Sequence, residues 1–217
     1  VFDDLANWDW GQITYETLQY IGIFAFAISG ALVGVRRQLD LLGVIVVGAS
    51  TGVGGGIIRD VMIGVNPPTS LTYWPNLTVA VTASLLVFFF HPRITRSKHF
   101  EVVFDAFGLG LFSANGAAAA FAAGLSPMTA IFVGAITAIG GGMVRDVLVN
   151  DVPGVLTREL YAVSAMLGAS CAVLLTWLTE SIALASFIGA LLAIILRLVS
   201  YLRGWQLPKP RAGRGLQ

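Results

Sequence analysis

Seven times along 217 residues, a run of about twenty predominantly apolar residues is closed by a short polar or turn-forming stretch. Wound as an α-helix, such a run spans the hydrocarbon core of a bilayer. In lipid, a helix also satisfies its own backbone hydrogen-bonding groups. The runs lie at 17–35, 41–63, 71–90, 102–123, 127–149, 159–178 and 182–203, with connections as short as GLSP and TES. No stretch alternates as a membrane barrel strand does. The expected fold class is therefore an all-α integral membrane protein with seven transmembrane helices. The chain has 12% charged residues, where a soluble domain has roughly 25%. A net charge of +1 gives no case for a nucleic-acid partner.

The leader VFDDLANWDW is acidic and lacks the basic region of a secretory signal, so the first run is read as a retained helix. With seven spans, ten basic residues fall on one side of the membrane: Arg36, Arg37, Arg93, Arg96, Lys98, Arg158, Arg203, Lys209, Arg211 and Arg214. The opposite connections carry Asp3, Asp4, Asp9, Glu16 and Glu180, and no lysine or arginine. Basic loops stay in the cytoplasm. This places residues 1–16 outside, the tail 204–217 in the cytoplasm, and the chain in the cell (inner) membrane. Trp8, Trp10, Trp74, Trp177 and Trp205 stand at or just beyond run ends, where an interfacial aromatic belt belongs. The basic tail is suited to anionic lipid.

Residues 54–60 read GGGIIRD and residues 140–146 read GGGMVRD, 86 positions apart. The same shift superposes Gly22 on Gly108, Phe26 on Phe112, Gly30-Ala31 on Gly116-Ala117, Thr51 on Thr137 and Pro67 on Pro153. Chance matches among alanines and valines do not produce a doubled GGGxxRD with a proline seven residues on. The repeats cover 17–90 and 102–178, and each holds three spans. Three is odd, so the second copy enters from the opposite side and the halves are inverted. That arrangement is typical of membrane transport proteins. The seventh span, 182–203, lies outside the repeat.

Gly54, Gly55 and Gly56, with Gly140, Gly141 and Gly142, weaken their helices by roughly 1 kcal/mol each relative to alanine. One reading is a kinked or unwound turn whose freed carbonyls line a wet path and replace part of a cation's hydration shell. The other is close helix packing. Arg59, Asp60, Arg145 and Asp146 follow one turn on, and charges within a span must be paired or wet. Neighbours on a helix point about 100° apart. The expectation is therefore cross-pairing between halves, Asp60 with Arg145 and Asp146 with Arg59, or snorkelling with a structural salt bridge. Arg197 reads as a snorkeller. Ser29, Asn115, Thr51, Thr137 and Asp105 (whose counterpart is Gln19) are candidate pore-lining groups, or else helix–helix hydrogen bonds.

Other chemistry finds no support. There is no Walker motif, no acidic cluster for a catalytic metal and no nucleophile–base pair, and His91 and His99 sit in a basic loop. Cys171 is a lone cysteine in an apolar segment. Neither an enzyme nor a cofactor is expected.

Seven spans, an inverted three-plus-three repeat and the doubled GGGxxRD in the second span of each half resemble the prokaryotic members of the TRIC family, the trimeric intracellular cation channels. The resemblance runs from about Tyr15 to Tyr201. It implies a homotrimer with a pore in each subunit, lined by the glycine-kinked second and fifth spans. The implied partner is a monovalent cation, potassium or sodium. Animal relatives carry counter-ion current during calcium release. They have lysine motifs near the glycines, where this chain has Arg59 and Arg145, so lysine-based control does not carry over. Bacterial relatives are also described as uptake proteins for glycine. A secondary transporter for a small amino acid is thus the alternative, with a half-helix N-terminus for the carboxylate and an aspartate for the ammonium group.

Overall fold

Apolar length makes the spans, and short polar signals end them. The computed structural model describes residues 10–94, 99–157 and 160–208, without the side chains of Trp10 and 92–94. The side chains of Trp10 and Arg93 lie outside the described set, as do Asp3, Asp4, Asp9, Trp8, Arg96, Lys98, Arg158, Lys209, Arg211 and Arg214. Among the described residues the elements are α1 (Trp10–Arg36), α2 (Leu41–Met62), α3 (Thr69–Thr72), α4 (Trp74–Ile94), α5 (His99–Ala122), α6 (Pro127–Leu148), α7 (Gly154–Thr157), α8 (Tyr161–Thr179) and α9 (Ile182–Arg203). Seven of these are long and apolar enough to span a membrane. The face at which α1 begins is called the N-terminal face below, and the face at which α9 ends the C-terminal face.

The caps follow the local chemistry. Asp40 precedes α2 and accepts from the Gly43 N–H, and Ser126 precedes α6 and accepts from Thr129 N–H. These side chains satisfy helix N-termini that would otherwise leave donors bare. Gly204 ends α9 in the left-handed conformation at φ 64°. The two repeats end alike: Ile63 N–H donates to Arg59 O after α2, and Val149 N–H to Arg145 O after α6.

α1 and α5, the first helices of the two repeats, are the most buried spans. They meet through a reciprocal contact. The rings of Phe26 and Phe112 pack edge to face with centroids 5.2 Å apart. Phe112 also covers Gly22, and Phe26 covers Gly108, where a Cβ would collide with the ring. Lipid gives no hydrophobic drive between helices, so close approach at small residues supplies the attraction. The same logic holds α8 to α9, where Gly168 and Gly189 each face the other's carbonyl oxygen. α9 thus packs on α8 and α5. The outward faces carry large apolar side chains such as Phe89, Phe132, Leu178 and Phe187, all exposed. Trp74, Trp177 and Trp205 are exposed at the helix ends.

Candidate functional site

α2 and α6 cross antiparallel at their glycines. A Cβ on Gly55 would strike the Thr137 carbonyl oxygen, and one on Gly141 would strike the Thr51 carbonyl oxygen. Gly140 lies against Gly55 and Ile58, Gly54 against Val144 and Gly141, Gly56 against Ser70, and Gly142 against Tyr161. Both helices stay helical through their glycines, so the unwound turn expected from the sequence is not present. The reason is visible in the contacts. Each glycine's missing side chain is used by a neighbouring backbone, and close packing repays the lost helix propensity. Thr51 and Thr137 turn their hydroxyls back onto Val47 O and Val133 O, each at 2.6 Å. Their side chains are seated against Gly30 and Gly116 respectively.

One turn beyond the crossing, each motif builds the same structure at opposite faces. Arg59 Nε donates to Asp60 Oδ1 at 2.8 Å, and Arg145 Nε donates to Asp146 Oδ1 at 2.8 Å. Asp60 Oδ2 accepts from Thr69 N–H at 2.8 Å, and Asp146 Oδ2 accepts from Gly154 N–H at 2.7 Å. Each aspartate therefore neutralises its own arginine and ties down the short helix that follows, α3 or α7. The expected cross-pairing between halves is corrected here. α2 and α6 run antiparallel, so each arginine lies four residues past the crossing in opposite directions. That is at least roughly 12 Å of axial separation. Neighbouring residues pair despite their 100° offset because arginine's three methylenes let its planar head fold back.

The two motifs differ in what surrounds them. On the C-terminal face, Arg145 is 1% exposed and Asp105 0%. Arg145 Nη1 donates to Asp105 Oδ1 and to Ser29 Oγ, both at 2.8 Å, while Tyr161 Oη donates to Asp105 Oδ1 at 3.5 Å. Arg197 is fully buried with its guanidinium 5.0 Å from the Tyr161 ring centroid. It does not snorkel, because its head group is folded inward over that ring with no exposed surface. On the N-terminal face, Arg59 Nη1 donates to Tyr15 Oη at 3.5 Å. Asn115 Nδ2 donates to Tyr15 O at 3.4 Å. A cavity of about 350 Å³ opens beside Arg59, lined among others by Tyr15, Glu16, Gln19 and Asn76.

The structure thus gathers Ser29, Asp105, Arg145 and Asp146 into one cluster. It places Arg59 and Asp60 at the other face and leaves Thr51, Thr137 and the glycines between them. Sequence reasoning did not single out Tyr15, Tyr161 or Asn76. Tyr161 and Asn76 carried a signal, as polar groups near the starts of the runs 159–178 and 71–90. At the C-terminal face, Arg36 also pairs with Glu101 and Arg37 with Asp151, linking the first repeat to the second. The Asp151 carboxylate holds the exposed Arg37 guanidinium above its ordinary pKa.

Known proteins share this fold. A family model described as a glycine transporter matches residues 16–92 and 102–177, the two repeats. A UPF0126 membrane protein of Deinococcus radiodurans is 44% identical over 197 residues, covering 89% of this chain and 91% of the relative. The inner membrane protein YadS of Escherichia coli is 35% identical over 89% of this chain and 93% of its own. Among solved structures, a prokaryotic TRIC channel in 0.5 M KCl superposes with a TM-score of 0.85 at 36% identity, covering 90% of this chain and 100% of that one. The trimeric intracellular cation channel orthologue from Rhodobacter sphaeroides gives 0.82 at 35% identity, over 88% and 98%. The chain belongs to the TRIC family. As a TRIC member it is an integral membrane protein built on an inverted repeat. The twin crossings and twin Arg–Asp pairs are the structural form of that repeat.

Proposed function

We propose that this protein is a monovalent cation channel for potassium or sodium. It would work as a homotrimer with a separate pathway in each subunit, between the two repeats. The observation that supports this reading is the polar column inside one subunit. Tyr15 and Asn115 lie toward one face, the Thr51 and Thr137 carbonyls at the α2–α6 crossing, and Ser29 with Asp105 toward the other. Channel structures that match over nearly the whole chain support it as well. In the conformation described, the glycine crossing and the Phe26–Phe112 pair close the middle of that column. Conduction then needs α2 and α6 to part by a small slide, which frees the threonine carbonyls to face a dehydrating cation. The charge bias of the loops places the N-terminal face outside the cytoplasm. The protein catalyses no reaction in this reading.

A second reading, secondary transport of a small amino acid, is favoured by the description of the matching family model and by the cavity beside Arg59. One preparation tests both. In a planar bilayer under a potassium gradient, discrete unitary currents reversing near the potassium potential are expected. Silent bilayers, together with glycine uptake in liposomes from the same preparation, would reverse the order of the two readings.

A further inference from the structure

The inverted repeat supplies an internal comparison for Arg59. It and Arg145 occupy equivalent positions, and each donates from Nε to the next residue's carboxylate at 2.8 Å. Arg145 then has a second carboxylate, Asp105, on Nη1 at 2.8 Å. Shifted by 86 residues, Asp105 becomes Gln19, a neutral amide. Arg59 Nη1 has the neutral Tyr15 hydroxyl at 3.5 Å in its place, a long bond that brings no countercharge. Where the second copy is filled by its own carboxylate, the first has the cavity of about 350 Å³. That size is at the small end of ligand pockets.

Two further groups distinguish the first copy. Asn76 is 1% exposed and lines the cavity. Its Nδ2 lies 3.5 Å from Thr69 O. Its Oδ1 is buried and accepts no hydrogen bond among the described residues. A buried acceptor without a donor is costly. Glu16 adds an exposed carboxylate at the rim, held by Gln12 Nε2 at 3.0 Å. The second copy has Ala162 and Val102 at the equivalent positions. The first copy therefore lacks one carboxylate beside its arginine and offers two acceptors that its partner copy lacks.

We propose that this cup binds a small carboxylate that also carries an ammonium group. The ligand's carboxylate sits on Arg59 Nη1 and the Tyr15 hydroxyl, where Asp105 sits in the other repeat. Its ammonium group donates to Asn76 Oδ1 and toward Glu16. This deepens the amino-acid reading by naming its site, and it stands apart from conduction, because binding is measured without current.

The test is a thermal shift and titration of the detergent-solubilised oligomer with glycine, acetate and methylammonium as probes. Glycine is expected to raise the melting temperature saturably. Acetate, which lacks the ammonium group's charged hydrogen bonds, should bind at least roughly tenfold more weakly, and methylammonium should give no shift. Gln19→Asp supplies the missing carboxylate from the chain itself. It is expected to raise the melting temperature without ligand and abolish the glycine response. Glu16→Gln, at an exposed position, should lower glycine affinity toward that of acetate. Wild-type protein that ignores glycine, acetate binding as tightly as glycine, or Gln19→Asp that binds glycine like wild type overturns the assignment. If Gln19→Asp does not fold, unchanged glycine affinity in Glu16→Gln overturns it as well. Loss of glycine binding together with intact potassium current removes the cup and leaves the channel.

Discussion

Asp146 neutralises Arg145 and also caps α7, while Arg145 divides its donors among Asp146, Asp105 and Ser29. Asp146→Asn keeps an acceptor near Gly154 but removes a charge from a fully buried cluster. Breaking a buried pair from one side costs roughly 3–5 kcal/mol, because the remaining charge has no way out to water. Solubilised Asp146→Asn protein is expected to melt lower and to lose oligomer on size exclusion, equally at low and high salt. Buried pairs are little screened, although the Debye length falls from about 30 Å at 0.01 M to about 3 Å at 1 M. Arg59→Gln combined with Asp146→Asn should not recover the loss, because Arg59 belongs to the opposite face, and Arg145→Gln combined with Asp146→Asn should not recover it either, because it takes the arginine from the buried Asp105 carboxylate. Rescue by the Arg59 change would overturn the pairing described here. An Asp146→Asn protein that assembles normally and loses current only at low salt would show instead that Asp146 serves to attract cations.

The α2–α6 crossing depends on Gly55 and Gly141 more than on any other pair, since each faces a backbone carbonyl of the opposing helix. A carbonyl in a helix cannot swing aside as a side chain can. Adding one methyl at each site forces the helices apart, and overpacking of a filled contact costs roughly 1–3 kcal/mol. Alanine itself favours helix by about 1 kcal/mol over glycine, so local propensity and tertiary fit pull in opposite directions. Tertiary fit is expected to win. Gly55→Ala with Gly141→Ala should lower the melting temperature and shift channel open probability. Gly64→Ala and Gly124→Ala lie in turns at positive φ, away from the crossing, and should leave single-channel behaviour unchanged. Unaltered stability and gating in the Gly55/Gly141 double variant would show that the crossing tolerates separation.

Orientation in the membrane belongs to the whole molecule. The α1–α2 connection and the end of α9 share one face, and the α8–α9 connection with Glu180 shares the other. The loop charges predict that reporter fusions after Arg96 and after Arg211 read cytoplasmic and that one after Glu180 reads external. A cytoplasmic reading at Glu180 would contradict an odd number of spans between these sites. The same asymmetry marks the faces themselves. Arg36–Glu101 and Arg37–Asp151 join the repeats at the C-terminal face. At the N-terminal face the equivalent positions are Ala122 with Tyr15 and Ala123 with Val65, which cannot form ion pairs. Breaking the exposed Arg37–Asp151 pair by Asp151→Asn should leave melting nearly unchanged, read by the same thermal assay.

The sequence alone determined the number of spans and the repeat, because both are one-dimensional. Apolar length counts helices, and an identical motif at a fixed shift needs no neighbour to be recognised. It also picked out the residues of both charged motifs and Asp105, since polar groups in apolar runs are conspicuous. It did not determine their partners. An arginine stem reaches in many directions, so spacing could not say that Arg59 and Arg145 bond the next residue, or that Arg197 folds over Tyr161 instead of reaching for the surface. Nor could it choose between an unwound turn and a tight crossing for the glycines, because both need a missing side chain. Only the lateral approach of α2 to α6, which is settled by packing between distant segments, decided that the glycines make room for carbonyl oxygens of the opposite repeat.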